Sequence, residues 1–164
     1  MPQSTFRHLL QDFTKSVSLD LEVPSAEDLE SFEFTHEGIR CMVRPAGDAA
    51  HVIVEADALR LDSLPVLERS RALRFLHGLN RAALATNQFV ATLDVDDEIR
   101  VSKSLPLQGL TAAALADEMV SAVEAARSLA RSLRILSQAD NAPMEESLED
   151  PAPASSIPCP LQLA

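Results

Sequence analysis

Apolar residues recur along this chain at two spacings, and the change from one to the other marks out its elements. Phe6, Leu9, Leu10, Phe13 and Val17 fall three or four apart, which predicts a helix over 4–17 with Ser4 as its N-cap. The acidic stretch 18–30, with Pro24, reads as a connection. Alternation then takes over. Phe32 and Phe34 bracket Glu33, and an HEG turn follows at His36 to Gly38. Ile39, Cys41 and Val43 alternate with Arg40, Met42 and Arg44, and Val52 to Val54 lie in a run over 51–61. Three strands so closely spaced, separated by Gly and Pro turn residues, fit an antiparallel meander.

Helical spacing returns after Pro65, a residue suited to a helix start because its missing N–H costs nothing there. Leu73, Leu76, Leu79, Ala83 and Leu84 carry the stripe to about Thr86. Phe89, Ala91, Leu93 and Val95 alternate again, Asp94 to Glu98 is a polar turn, and Ile99, Val101 and Leu105 complete a hairpin. A last helix runs from near Thr111 to about Ser137 on Leu115, Met119, Val123, Ala126, Leu129, Leu133 and Leu136. Its acids Asp117, Glu118 and Glu124 precede its bases Arg127, Arg131 and Arg134, the order that complements a helix dipole. The expected fold is therefore α+β, in the order α-β-β-β-α-β-β-α, with a twisted antiparallel sheet packed by helices. It occupies 1–137. The remainder, 138–164, is acidic, rich in proline and without Lys or Arg, and is expected to stay disordered because it buries too little apolar surface to offset its ordering entropy.

Charge narrows the partners. The 164 residues carry a net charge of -11 with a pI near 4.7. Such a field repels phosphate backbones and anionic lipid, which argues against nucleic acid and membrane surfaces as partners. A basic polypeptide segment, or solubility alone, accounts for the sign. No apolar run approaches the ~18 residues of a membrane span, and the opening MPQSTFRHLLQDF lacks a secretory core, so a cytoplasmic protein is expected.

Catalytic patterns are missing. The turn Asp94, Asp96, Asp97, Glu98 has Ile99 where a calcium loop needs its glycine. His8, His36, His51 and His77 are scattered, and four glycines in all make a phosphate-cradling loop hard to build. Cys41 sits in a strand alternation and reads as a buried thiol; with Cys159 it forms no CxxC pair. No enzyme, metal or cofactor is expected. Trp and Tyr, which dominate compact binding hot spots, are both absent, so recognition would rest on aliphatics, Phe and backbone edges.

The element order, size and acidity, and the stretch LHGLNRAALATNQFVATLDVDDEIRVSKSLPLQGLTAAALADEMVSAVEAARSL at 76–129, resemble the class I type III secretion chaperones, the Tir-chaperone-like family. Members similarly show a leucine-rich helix ending near an Asn, a strand, an acidic turn, a strand ending Leu-Pro-Leu, and a long last helix. The opening helix FRHLLQDF fits as well. The chain departs in lacking a Gly over 85–88 and in its long tail.

The resemblance implies a virulence-associated homodimer that holds the amino-terminal segment of a secreted effector in extended form, soluble and ready for secretion, with the secretion-apparatus ATPase as a further partner. It places effector contacts on the first helix and first three strands, here Phe6, Leu9, Leu10, Phe13, Phe32, Phe34, Ile39 and Val43. The second helix carries apolar residues on more than one face, which marks Leu73, Leu76, Leu79, Phe89 and Ala91 as a dimer interface. A bacterial regulator of the same fold, binding a sensor or transcription factor, is the alternative. A small enzyme with an unrecognised site is a third.

Overall fold

The two-residue alternation of the middle of the chain becomes a sheet, and the 3–4 spacings become the helices that close it. The computed structural model describes residues 2–17, 31–86 and 88–138; the connection 18–30 and the tail from 139 lie outside the described residues. In order come α1 (Pro2–Ser16), β1 (Phe32–His36), β2 (Ile39–Pro45), β3 (His51–Arg60), α2 (Val66–Thr86), β4 (Val90–Leu93), β5 (Glu98–Pro106) and α3 (Ala112–Gln138). A single 3-10 turn, Leu61–Ser63, joins β3 to α2. This is the expected α+β order. Some boundaries differ: Leu61 enters the turn instead of ending β3, and Phe89 precedes β4. Ser4 lies inside the first turn of α1 rather than ahead of it, because the helix already begins at Pro2.

The sheet runs β1-β2-β3-β5-β4, antiparallel throughout. Glu37 and Gly38, with φ of 50° and 80°, make the two-residue turn whose twist matches the β1–β2 hairpin. Directly opposed residues share a face, so the register sorts the side chains. Phe34, Cys41, Ala56, Val101 and Ala91 form one row across all five strands, and each is buried. The neighbouring row, Glu33, Met42, Glu55, Ser102 and Val90, points the other way. A register shift between Asp57 and Leu59 turns Leu59 back to the apolar side, opposite Ile99.

α3 lies across that apolar face, packed on β3 and β5. Thr111 caps it, its Oγ1 accepting from the Ala114 N–H at 3.2 Å. Leu115, Ala122, Ala126 and Leu133 are at most 1% exposed, so the helix meets the sheet through small residues at its centre and leucines toward its ends. α1 and α2 pack against α3 on either side.

The stripe read along α2 divides in two. Ala72, Leu76 and Ala83 face inward, while Leu73, Leu79 and Leu84 are 43%, 38% and 74% exposed. The cause is the 3.6-residue period, which puts positions 72, 76 and 83 in line and carries 73 and 84 to the far side. α2 also closes an edge of the sheet. The Asn80 Nδ2 donates to the Ala91 carbonyl at 2.6 Å, and the Ala91 N–H donates to Asn80 Oδ1 at 2.7 Å. One side-chain amide thus satisfies both outward groups of an edge residue, as a neighbouring strand would. Replacing Asn80→Ala should cost about 2 kcal/mol, because it strands one backbone donor and one acceptor. The check is a shift of the urea midpoint at unchanged slope.

Candidate functional site

The carboxy-terminal end of α1 is held to the first strand by aromatic contact. Phe13 and Phe34 have ring centroids 5.7 Å apart at 53°, and Phe32 lies 5.7 Å from Phe34. Beside them a cavity of about 140 Å³ opens between α1, the β1–β2 hairpin and α3. Phe13, Phe34, Cys41, Met119 and Val123 line its interior; Val17 and Val120, 37% and 48% exposed, stand with His36 and Asp117 around it. β1 is an outer strand, and among the described residues nothing pairs with its free edge. The arrangement offers main-chain donors and acceptors in a row next to an apolar recess sized for a side chain. An added strand would use both. Cys41 supplies no nucleophile there: burial pushes its thiol up to about 11.

The opposite face of the sheet is ionic. Arg40 pairs with Glu33 at 2.9 Å, and Arg44 with Glu55 at 3.1 Å. Arg100 reaches Asp57 at 2.8 Å, Asp94 at 2.8 Å and Glu98 at 2.7 Å. Burial holds the Asp57 carboxyl above its ordinary value against the opposing pull of Arg100. The acidic turn read in the sequence is therefore tied back to its own sheet. A depression of about 380 Å³ is bounded by Arg40 and Glu98, paired with each other, by Arg60, paired with Asp62, and by Asp57, paired with Arg100. Among the described residues no cluster of three or more His, Cys, Asp or Glu is placed to hold a metal.

A second groove, about 570 Å³, separates α2 from α3. Phe75, Leu79 and Ala82 form one wall, Ser121, Ala125 and Ser128 the other, over Phe89 and Val101. Lys103 in its floor bonds Glu118 at 2.9 Å and sits 5.4 Å from the Phe89 ring centroid. On the other side of α2, toward Asn80 and β4, Val66, Leu73 and Leu84 form an exposed apolar strip.

The residues singled out from sequence are distributed unevenly over these surfaces. Of the effector-contact set, Phe6, Leu9, Leu10, Phe13, Phe32, Phe34 and Val43 are at most 8% exposed and belong to the core, and Ile39 is half-buried. Only Phe13 and Phe34 also line the cavity. Of the dimer set, Leu73 and Leu79 are exposed and Phe89 is half-buried, whereas Leu76 and Ala91, each 6% exposed, are interior. Sequence reasoning missed the α3 side of the cavity: Ala116, Asp117, Met119, Val120 and Val123. Val120 was the available signal, an apolar residue off the main stripe of α3.

No family model and no curated protein matches the sequence. Solved structures do. The chain covers 95% of a chain in the HopA1–SchA chaperone–effector complex, over 79% of its own length, with a TM-score of 0.64 and 15% identity. It covers 95% of a chain in the ExsC–ExsE complex, over 80% of its own length, with a TM-score of 0.67 and 16% identity. The Yersinia pestis type III secretion chaperone SycH, in complex with a stable fragment of YscM2, matches over 76% of this chain and 98% of that one, with a TM-score of 0.53 and 18% identity. The protein has the class I type III secretion chaperone-like fold.

Arg100→Ala should destabilise the domain at neutral pH by on the order of 2 kcal/mol, since three carboxylates lose their cation. Without the guanidinium the Asp57 carboxyl, already raised by burial, rises further above its unfolded value. The folded variant then binds protons more tightly than the unfolded chain. Its deficit should shrink as pH falls toward about 4. Denaturation midpoints of both proteins across that range test the sign.

Proposed function

We propose that this chain is a non-catalytic chaperone that holds the amino-terminal segment of a type III secreted effector in extended form in the cytoplasm. One observation carries the reading: the free edge of β1 runs beside an apolar cavity, in a fold shared with chaperones solved in complex with effectors. The segment adds to β1 through main-chain hydrogen bonds and places an apolar side chain in the cavity between Phe13, Phe34 and Met119. Such recognition tolerates varied sequences, because the backbone supplies most of the contact. The net charge of -11 favours a basic segment and keeps the loaded complex soluble.

The site divides the candidate residues by their expected behaviour. Val120→Arg fills the mouth of the cavity from an exposed position and should abolish co-purification of a co-expressed effector segment while circular dichroism stays native. Phe13→Ser, by contrast, opens the core and should cost roughly 3–5 kcal/mol. Retention of the effector by folded Val120→Arg would place the contact elsewhere.

The functional unit is a homodimer joined through the β4 side of α2. Val66, Leu73 and Leu84 supply the exposed strip, and the interface buries more than about 2,000 Å². Leu73→Glu should yield a folded monomer by light scattering at micromolar concentration, because a carboxylate there would be desolvated without a partner. A wild-type protein that is monomeric at that concentration would remove the dimer from the reading.

A further inference from the structure

The cavity beside β1 is apolar in its depth and acidic at its mouth. Phe13, Phe34, Cys41, Met119 and Val123 form the interior. Among the described residues that line it, Asp117 is the one carboxylate, and no lysine or arginine is present. Asp117 is exposed, and its carboxylate makes no hydrogen bond or ion pair with any described residue. The cations nearest in sequence on α1 and α3 are engaged elsewhere. Lys15 lies 4.0 Å from Asp12, and Arg127 pairs with Glu37 of the β1–β2 turn. Nor does an ion pair join Asp117 to His36, the other titratable side chain at the mouth.

These features restrict what the cavity can accept. Its volume, about 140 Å³, is close to that of a cavity that takes up benzene, so a Leu, Met or Phe side chain fills it. A charged head cannot follow, because the interior offers it no counter-charge. On a strand added to β1, residues two apart leave the sheet on the same side, roughly 6.7 Å from each other. The side chain two positions from the anchor therefore emerges at the mouth, where Asp117 stands. An acid there meets like charge. A Lys or Arg lays its stem over Val120, which is 48% exposed, and sets its head on the carboxylate.

We infer that Asp117 sets the sequence preference of the β1 edge: the segment bound there carries a Leu, Met or Phe anchor with a Lys or Arg two residues away. The inference rests on the reading of β1 as a binding edge, and adds a rule for which polypeptides that edge selects. Because the carboxylate is exposed, its pairing contributes a few-fold discrimination, and the main chain and the anchor supply most of the affinity.

Short random peptides displayed on phage, selected against the wild-type protein, read the rule directly. Lys and Arg should be enriched about threefold two residues from an apolar anchor, with Asp and Glu depleted there. Selection on Asp117→Lys should turn the preference to Asp and Glu, and selection on Asp117→Asn should abolish it, with the anchor kept in both. Circular dichroism checks that each variant is folded. Absence of a charge preference on the wild type, or one preference shared by all three proteins, would overturn the inference and leave β1 as a binding edge. Peptides enriched equally on Val120→Arg, or no enrichment at all, would remove the β1 reading itself and the inference with it.

Discussion

The contact between α3 and the apolar face of β3 and β5 is the one on which the rest of the structure depends. It is made close by small residues at its centre: Ala56 on the sheet and Ala122 and Ala126 on the helix are all fully buried. Leu115, Leu133, Val52 and Val54 fill the space around them. Once α3 is seated, its two flanks are the places where the other helices can bury their stripes. α1 takes one with Phe6, Leu10 and Phe13, and α2 takes the other with Ala72, Leu76 and Ala83. Both cavities described above are the seams left between α3 and these flanking helices.

The two edges of the sheet are treated differently, and that contrast bears on function. At β4, Asn80 occupies the outward donor and acceptor of Ala91. Strand pairing is blocked there by a single side chain. At β1 no described residue does the same. Unpaired edges are hazards in a soluble protein. An open edge next to an apolar recess is therefore a feature that a binding protein has reason to keep, and one that an inert domain would be expected to blunt.

The ionic face of the sheet has a different physical role. Surface ion pairs contribute little to stability one by one, but here Arg100 binds three carboxylates drawn from β3, the hairpin turn and β5. That network ties the acidic turn to the strand beside it through Asp94 and Glu98. Desolvation raises the Asp57 pKa even so, which shows how much the arrangement relies on the one guanidinium.

Much of the fold was legible in the sequence, because the periods of 3.6 and 2 are local properties of backbone geometry. The element order, the β1–β2 turn at Glu37 and Gly38 and the Thr111 start of α3 all follow from short stretches read alone. Which face of an apolar element is covered depends on what lies across from it, and no short stretch contains that information. Phe6, Leu9 and Val43, which the family resemblance marked as effector contacts, are buried in the core of this chain, and Val120, which lies off the stripe read along α3, stands at the mouth of a cavity. That α2 is apolar on more than one face was legible, but not that Leu76 is interior while Leu73 and Leu79 are exposed. Only the tertiary structure could set β5 between β3 and β4, bring Asn80 to Ala91 across eleven residues, and leave β1 as the edge that stays open. Those are pairings of distant segments, decided by the competition among them to bury apolar surface and satisfy the backbone.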